Sequence, residues 1–530
     1  MSLEKRILFG VGAGWLSRLI NIVFGLLLTR VLFAHLVAGE LGVWYLLGQT
    51  GAVLGLMDFG LTPTLGRRVA FIKGKSKSPL NGKCDPESLP ELADLMATAG
   101  GAYRIVAIVG FFICLFAGGY FLSEIRASGV PLQTIWIGWT IMCLSNATAA
   151  WANKWNCLLM GLGYVGWDSV LVSIVSVASY LGQMVVLYCG GGIISLAIVA
   201  TIGAFFTRSV AVWFIRRREP EIARQKGRFR REILLSMAKP ALLYWLSALG
   251  GFMIYRTGQY FIAHFQGSAE LPNYQAALQL VLNLSAVGGA FATVSAVFVS
   301  QLWQAGELPR VHSLVRRNMF TCEIIMMSGA AFLMFAGEDL LTLWLGPNHF
   351  VGYKVLLAFS VTYVLETHHF VLSNASRATE DEVYAPWAIA SGVLNICFTL
   401  LLIGRYGLLG VAMATMFAQL LTYNWYGSWR GLRRLKMSIR DHFKKVVLPL
   451  VLFFACSLGV AWLMRWSTSA IPYRIVRVSA VAAGTGLLAA VAGYFLVLSP
   501  HHRMRLLGRT LPAPVPIMPD AVEEEAHAGL

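Results

Sequence analysis

Fourteen apolar stretches run along the sequence, and each is long enough to cross a lipid bilayer as a helix. About 20 predominantly apolar residues form a membrane-spanning helix. Of the 530 residues, 57% are hydrophobic and 13% are charged, well below the roughly 25% charged residues of a soluble domain. The pattern predicts an all-α polytopic membrane protein with about 14 transmembrane helices. The stretches lie near residues 7–30, 41–63, 99–122, 132–156, 165–188, 192–215, 240–264, 274–302, 319–344, 351–373, 384–404, 407–428, 446–466 and 475–498.

Lysine and arginine are concentrated in alternate connections between these stretches. The net charge is +17, and the basic residues gather before the first stretch and in every second connection. By the positive-inside rule, both termini and these connections are cytoplasmic in a multi-pass protein of the cell inner membrane. We expect the basic runs to lie against anionic lipid headgroups and not to bind nucleic acid. They include Arg67, Arg68, Lys73, Arg228, Arg310, Arg316, Arg433, Arg434 and Lys436.

The connections also argue against an enzyme. Every connection on the outer side is short, so none forms a domain that holds a catalytic site. The longer cytoplasmic segments, 67–98 and 216–239, are basic and carry no Walker, Rossmann or DxD-like pattern. The eight cysteines are scattered without metal-ligand spacing. We therefore predict neither catalytic residues nor a cofactor or a metal.

A short internal repeat indicates two related halves. The segment FAHLVAGELGVWYLLGQ (33–49) follows the first stretch, and IAHFQGSAELPNYQAALQ (262–279) ends the seventh and opens the eighth. Both contain Ala-His, a turn of small residues, Glu-Leu and then an aromatic residue. Two pseudo-repeated six-helix lobes with a C-terminal helix pair follow from this, and carriers that work by alternating access are commonly built from such repeats. The matching residues are His35 with His264 and Glu40 with Glu270.

These observations divide the chain into five parts. The parts are an N-terminal lobe (1–215), a basic cytoplasmic linker (216–239), a C-terminal lobe (240–428), a basic loop with two extra helices (429–498) and a cytoplasmic tail (499–530). The tail is rich in proline and then acidic, and we expect it to be disordered from about residue 512.

Two arginines lie within apolar stretches, where each costs about 2.5 to 3.5 kcal/mol if it faces lipid. Arg18 shares one helical face with Asn21. Arg256 lies in FMIYRTGQYFIAHF, beside Tyr255 and with Gln259 and Tyr260 at helical spacing. We interpret these six residues as candidates for lining an internal cavity that binds substrate. The alternatives are an arginine neutralised by a carboxylate for packing and an arginine whose head reaches the interface.

A second set of titratable residues is a candidate for coupling or gating. Asp58 lies near the inner end of the second stretch, where it is placed to pair with Arg67, Arg68 or Arg18. Such a pair would be structural as readily as functional. Glu366, His368 and His369 lie in the inner third of the tenth stretch, and this mixture can carry a coupling proton. An interfacial cluster at the cytoplasmic end is the alternative.

Three segments carry a resemblance to a known family. They are GWLSRLINIVFGLLLTRVLFAHLVAGELGVWYLL (14–47), LMDFGLTPTLGRRVA (56–70) and RTGQYFIAHF…LPNYQAALQL (256–280). In these segments the sequence resembles the polysaccharide transporters, the O-antigen and exopolysaccharide repeat-unit flippases of the multidrug/oligosaccharidyl-lipid/polysaccharide flippase superfamily. The remainder of the chain agrees with the family mainly in hydropathy.

The resemblance implies a flippase that moves an undecaprenyl-diphosphate-linked oligosaccharide from the inner to the outer leaflet, together with polysaccharide assembly partners. In that setting Arg18 and Arg256 would attract the diphosphate, and Trp15, Tyr255 and Tyr260 would stack on sugars. The alternatives are a multidrug or cation antiporter of the same superfamily and a flippase for another prenyl-linked cell-envelope precursor. An antiporter would be expected to place acidic residues at the centre of its first lobe.

Overall fold

The structure is a computed structural model that describes residues 3–48, 50–74, 86–123, 129–304, 306–379, 381 and 383–498. Within these residues all regular elements are helical. Ten of the described helices are long and apolar enough to cross a membrane, and a bent pair of helices adds an eleventh. The chain is a multi-pass membrane protein, and the predicted all-α polytopic class is confirmed. The tail predicted for 499–530 lies outside the described residues.

Helices in the first part of the chain include two broken spans. Phe59 and Gly60 have φ of 46° and 72°, so the chain turns sharply between α3 and α4. A break at Asn153 separates α7 from α8. The predicted spans 41–63 and 132–156 therefore coincide with helices that are broken. The helices are α1 Leu3–His35, α2 Ala38–Gly48, α3 Thr50–Met57, α4 Leu61–Gly74, α5 Leu89–Ile113, α6 Gly119–Ser123, α7 Leu132–Ala152, α8 Lys154–Gly161, α9 Val165–Tyr188 and α10 Ile193–Arg218.

Helices in the rest of the chain are bent at two glycine or proline positions. Gly407 has φ 55° and ψ −131° inside α17, and this divides the stretch into the two spans that the sequence predicts. Pro240, where the seventh predicted stretch begins, lies instead where α12 bends by 46°. The helices are α11 Pro220–Arg224, α12 Arg231–Tyr255, α13 Thr257–Phe265, α14 Leu271–Gln304, α15 Leu308–Leu345, α16 Tyr353–Arg377, α17 Ala385–Leu421, α18 Tyr423–Arg434, α19 Ile439–His442, α20 Leu448–Ser467 and α21 Arg474–Ala492.

The helices pack in two groups, which we call the first group (α1–α10) and the second group (α12–α18). In the first group α1 packs along α9, and α10 packs between α7 and α9. In the second group α12 packs along α17, and α14, α15 and α16 pack against one another. The domain boundaries at residues 215, 239 and 428 stay predictions.

The two groups meet directly at the repeated segments. The short α2 packs against the turn 268–270, which precedes α14. A side-chain carbon at Gly42 would collide with the Ser268 carbonyl oxygen, so only glycine permits this approach. The Ser268 hydroxyl also donates to the Gly39 carbonyl at 3.4 Å. The repeat that the sequence shows is therefore a contact between the groups, on the predicted outer side.

Two further lines of contact run between the groups. Along α1 and α14, Thr29 donates to Gln279 at 3.1 Å. Along α4 and α12, Gly60 lies against the Ala241 backbone and Arg68 donates to the Ser236 carbonyl at 3.0 Å.

The terminal helices α20 and α21 pack against α15 of the second group. Arg477 on α21 donates to both carboxylate oxygens of Asp339 at 2.8 and 2.6 Å. Arg465 and Arg474 approach the same carboxylate at 3.7 and 3.9 Å. A bidentate guanidinium-carboxylate pair fixes both position and orientation, so it holds the terminal pair in register with α15.

Candidate functional site

Arg18 lies near the middle of α1, where the two groups face each other. Its guanidinium donates to the Ala286 carbonyl, on α14, at 3.2 Å, and the residue is exposed. Nearby, the Trp15 and Phe291 rings meet edge to face with centroids 4.8 Å apart. Asn21 is half-buried and donates to the Ser17 carbonyl of its own helix at 2.8 Å. Arg18 therefore has several donors left to bind a ligand between the groups.

Arg256 lies at a break in the helical backbone. It ends α12 and precedes α13, with φ −115° and ψ −31°. The residue is exposed, and its charge acts on the hydroxyls of Tyr260 and Tyr363. A broken helix at membrane depth is tolerated where it lines a cavity or is buried in protein. The break is compatible with either setting, and the substrate-binding role of Arg256 stays a prediction.

Tyr255 and Gln259 face the interior of the second group. They line a cavity of about 20 Å³ with Tyr274, Thr362, Tyr363 and Thr415. Gln259 is 2% exposed, and its side-chain oxygen has no hydrogen-bond partner. About 10 to 15 Å³ is enough for one water. In this conformation the cavity fits a water and not a sugar, and a substrate-binding role for these two residues stays a prediction.

Tyr260 faces a different space, a groove between the groups. The groove has a volume of about 620 Å³ and is mostly apolar. Thr257, Tyr260 and His264 lie on the face of α13 that lines it. Its other lining residues include Val53, Ile113 and Trp139 of the first group and Phe252, Phe261 and Phe265 of the second. Arg256 directly precedes this face, so a cationic residue lies next to an apolar groove.

Glu366 and His369 form one cluster with Tyr255. The His369 Nδ1 and Glu366 Oε2 atoms are 3.3 Å apart, with the two side chains 2% and 15% exposed. The Tyr255 hydroxyl hydrogen-bonds the Glu366 carboxyl. The Tyr423 ring packs edge to face on His369, with centroids 4.6 Å apart. The predicted coupling residues are thus connected to a residue predicted to bind substrate.

His368 points to a different set of partners. Its Nε2 lies 3.1 Å from His442 Nε2, and its Nδ1 lies 3.1 Å from the Ser428 hydroxyl. His442 belongs to α19, in the predicted cytoplasmic loop. It was missed in the sequence because it lies within a basic run and 74 residues from its partner.

Asp58 belongs to a polar cluster in the first group. It accepts a hydrogen bond from the Thr62 backbone N–H at 2.9 Å, and the Tyr103 hydroxyl lies 2.9 Å from the Thr62 hydroxyl. Asn153 donates to the Thr62 hydroxyl at 2.6 Å. Among the described residues no ion pair joins Asp58 to an arginine. Arg67 is exposed, and its predicted role in coupling or gating stays untested.

Three further charged residues of the apolar spans were not among the predicted sites. Arg208 on α10 interacts electrostatically with Asp168 on α9. Glu323 on α15 is fully buried, and neither of its carboxylate oxygens has a hydrogen-bond partner. The signal that singled out Arg18, a charge inside an apolar stretch, is also present at all three positions.

Solved structures of transporters share this fold. The structure titled "Lipid II flippase MurJ, inward closed conformation" is 15% identical, has a TM-score of 0.67, and is matched over 95% of this chain and 100% of its own. An inward-facing multidrug resistance MATE family transporter of the MOP superfamily is 13% identical with a TM-score of 0.61, over 82% of this chain and 95% of its own. The sequence matches no protein-family model, and no curated protein matches it closely enough to count as a relative.

A third structure is a MOP superfamily transporter from Pyrococcus furiosus, described as having a binding pocket of reverse polarity that suggests a different function. It is 14% identical, with a TM-score of 0.56, over 82% of this chain and 96% of its own. The MATE and Pyrococcus structures are thus matched almost completely, yet they leave nearly a fifth of this chain without a counterpart. The MurJ structure is matched over 95% of this chain and leaves no comparable part without a counterpart.

Proposed function

We propose that this protein is a flippase, not an enzyme, that moves a lipid-diphosphate-linked oligosaccharide across the cytoplasmic membrane for cell-surface polysaccharide biosynthesis. The observation that carries the proposal is the match to the lipid II flippase fold over the full length of that structure. The residues from α19 onward make up about the share that the MATE structures leave unmatched. We infer that the terminal helix pair is the part that this chain has in common with the flippase only.

Arg18 and Arg256 are the residues that we assign to the diphosphate. Each group of helices contributes one exposed guanidinium at membrane depth. Guanidinium is planar and binds phosphate oxygens with two parallel hydrogen bonds. Trp15, Tyr255 and Tyr260 would stack on sugar rings, and the apolar groove beside Arg256 would hold part of the prenyl chain.

The transport step is a rocking of one group against the other. The contact of Gly42 with Ser268 closes the predicted outer end, so a substrate enters from the cytoplasmic side or laterally from the inner leaflet. Opening this contact while the inner ends close would release the head group outward. Glu366, His368, His369 and Asp58 are the candidates for coupling this motion to protons, with Arg67 as a possible gating residue.

A multidrug or cation antiporter is the second candidate. It is favoured by the similarity to the MATE structures and by the half-buried carboxylates Asp58 and Asp168 in the first group. A flippase for another prenyl-linked envelope precursor would use the same site, with other sugar contacts.

Reconstituted protein distinguishes these candidates. The full chain in proteoliposomes is given a fluorescent prenyl-diphosphate oligosaccharide on the inner leaflet, or a cationic dye in the lumen. The flippase proposal expects the lipid to become accessible to an outer reagent and the dye to stay in place. Export of dye without movement of the lipid would contradict it. The Arg256→Lys variant keeps the positive charge but cannot bind the diphosphate with two parallel hydrogen bonds. It is therefore the matched control that separates loss of charge from loss of bidentate binding.

The membrane orientation is a separate part of the proposal. With both termini cytoplasmic, reporter fusions after Arg228 and Lys436 are expected to report cytoplasm, and fusions near Gly129, Gly267 and Asn348 the outer side. A single reversed position would change the span count.

A further inference from the structure

A basic pocket lies where α15 approaches the loop before α20. The pocket has a volume of about 340 Å³. It is formed by side chains from two separate parts of the chain, which brings several cationic or imidazole groups together at one place. The cationic and imidazole side chains are His312 and Arg316 on α15, Lys436 on the loop, His442 on α19 and Lys445 just after it. Ser438 also lines the pocket.

The charge of this pocket is only partly compensated. Asp441 is the acidic side chain that lines it, and it pairs with Lys445 at 3.4 Å. Arg316 and Lys436 are exposed, and no ion pair of either is found among the described residues. Like charges that line one cavity repel each other unless an anion enters. The pocket thus has the charge of an anion site.

His442 supplies a second, independent indication. The residue is 6% exposed, and its Nδ1 has no hydrogen-bond partner. Such an unpaired buried polar atom costs free energy unless a ligand or water satisfies it. Because the ring lines the pocket, the missing partner is expected to come from the pocket.

The proton positions follow from the hydrogen bonds. The Ser428 hydroxyl donates to the Asn424 carbonyl at 2.9 Å, so it accepts from His368 Nδ1–H. Neutral His368 then accepts at Nε2, and His442 must donate its Nε2–H. In a neutral His442 ring Nδ1 is therefore a bare acceptor. Donation to an anion requires this nitrogen to gain a proton from solvent.

We propose that this pocket binds a phosphate group, either on an anionic lipid headgroup or free in the cytoplasm, with uptake of one proton by His442. Arg316 and Lys436 contribute charge, and His442 donates through Nδ1. The groups that face His442 are His368 on α16, His312 and Arg316 on α15, Lys436 on the loop, and its own neighbours Asp441 and Lys445. Burial and the Arg316 charge lower the pKa of His442, so its ring is neutral without an anion beside it, and the added proton is stabilised by the entering phosphate.

Calorimetry on the full-length protein in phosphatidylcholine nanodiscs tests this. Inorganic phosphate is titrated at pH 8 in two buffers of different ionisation enthalpy, which reports the protons taken up. Arg316→Gln is expected to weaken binding about tenfold, through loss of a charge-assisted hydrogen bond. Arg317→Gln changes the next residue on α15, which does not line the pocket, and is expected to bind as the wild type does.

The His442→Asn variant tests the proton. Its amide can donate without protonation, so we expect binding to persist while the proton uptake at pH 8, where free phosphate is mostly the dianion, falls by about one proton relative to the wild type. Uptake at pH 8 unchanged in this variant would overturn the assignment of the proton. Equal binding by Arg316→Gln and Arg317→Gln, or no phosphate binding by the wild type in any nanodisc, would overturn the site.

The source of the phosphate is separated by a second set of nanodiscs. If a headgroup fills the pocket, phosphatidylglycerol nanodiscs weaken the binding of inorganic phosphate by tenfold or more in the wild type. If a soluble phosphate fills it, the affinity is the same in both lipids. Either result supports the site. Because transport is not the readout, failure of this proposal is distinguishable from failure of the flippase proposal.

Discussion

The first and second groups share a helical plan but differ in the polar residues that they bury. In the first group, Asp58 lies among hydroxyl and amide partners, and Asp168 has Arg208 as an electrostatic partner. In the second group, Glu366 contacts imidazole and phenol groups, which are His369 and Tyr255.

The two kinds of surroundings predict different roles for the buried carboxyl groups, one structural and one in proton coupling. A carboxylate near a guanidinium keeps its charge through a transport cycle. A carboxyl surrounded by groups that can be neutral is able to change its protonation state when its surroundings change. We therefore expect the pair of Asp168 and Arg208 to form a fixed scaffold in the first group. We expect Glu366 in the second group to exchange protons more readily than Asp58, because His369 beside it is also titratable. Each group contributes one candidate substrate-binding arginine.

The largest effect is expected from the two arginines. Arg18→Ala and Arg256→Ala should each reduce lipid transport about 100-fold, because each removes a charge-assisted contact to the diphosphate. Lysine at either position should restore part of the rate, since it keeps the charge and loses the fork. Abundance in the membrane, measured with transport, is expected to stay normal. Normal transport by a well-expressed Arg18→Ala variant would remove the first group from the substrate site.

A comparison of two glycines tests the contact between the groups. Gly42→Val should lower transport about tenfold or more, because the side chain collides with the Ser268 carbonyl and keeps the outer ends apart. Gly55→Val, on α3, meets no atom within 4 Å and is expected to transport normally. Labelling of a cysteine placed in the cavity from the outer side should increase in the first variant only.

The coupling assignment is tested by two isosteric changes. Glu366→Gln cannot release a proton, so transport should fall about tenfold and lose its dependence on pH. Asp58→Asn keeps a side-chain oxygen that accepts from the Thr62 N–H and should lower transport by less than about threefold. Rates measured between pH 5.5 and 8.5 check both. If the Asp58 variant loses the pH dependence and the Glu366 variant keeps it, the roles of the two groups are reversed.

The smallest effect concerns the scaffold. Arg208→Gln should destabilise the purified protein by about 1 kcal/mol, because Asp168 loses its electrostatic partner. Thermal unfolding in detergent measures this, and Arg208→Gln combined with Asp168→Asn should recover most of the loss. Additive effects of the two changes would show that the residues do not interact.

Much of the fold could be predicted because each span contains its own signal. The length of each apolar stretch predicts a helix. The matching segments at His35 and His264 predict two related halves, and the structure shows that these segments are in contact. The polar cluster around Asp58 could not be predicted, since Tyr103 and Asn153, which hydrogen-bond the Thr62 hydroxyl, lie far along the chain. The break at Arg256 was missed because no proline lies there. The bend at Pro240 was misread as a helix start, since proline is compatible with both.

The two ends of the molecule should respond differently to salt. At the predicted outer contact, Gly42 approaches the uncharged backbone of Ser268. At the predicted cytoplasmic end, Asp94 accepts from the Arg228 N–H at 2.7 Å and pairs with Arg230 at 2.5 Å, joining the linker to α5. Ions screen the second contact and leave the first unchanged, with a Debye length of about 10 Å at 0.1 M. Ionic strength is therefore a means of loosening one end of the molecule while the other stays closed.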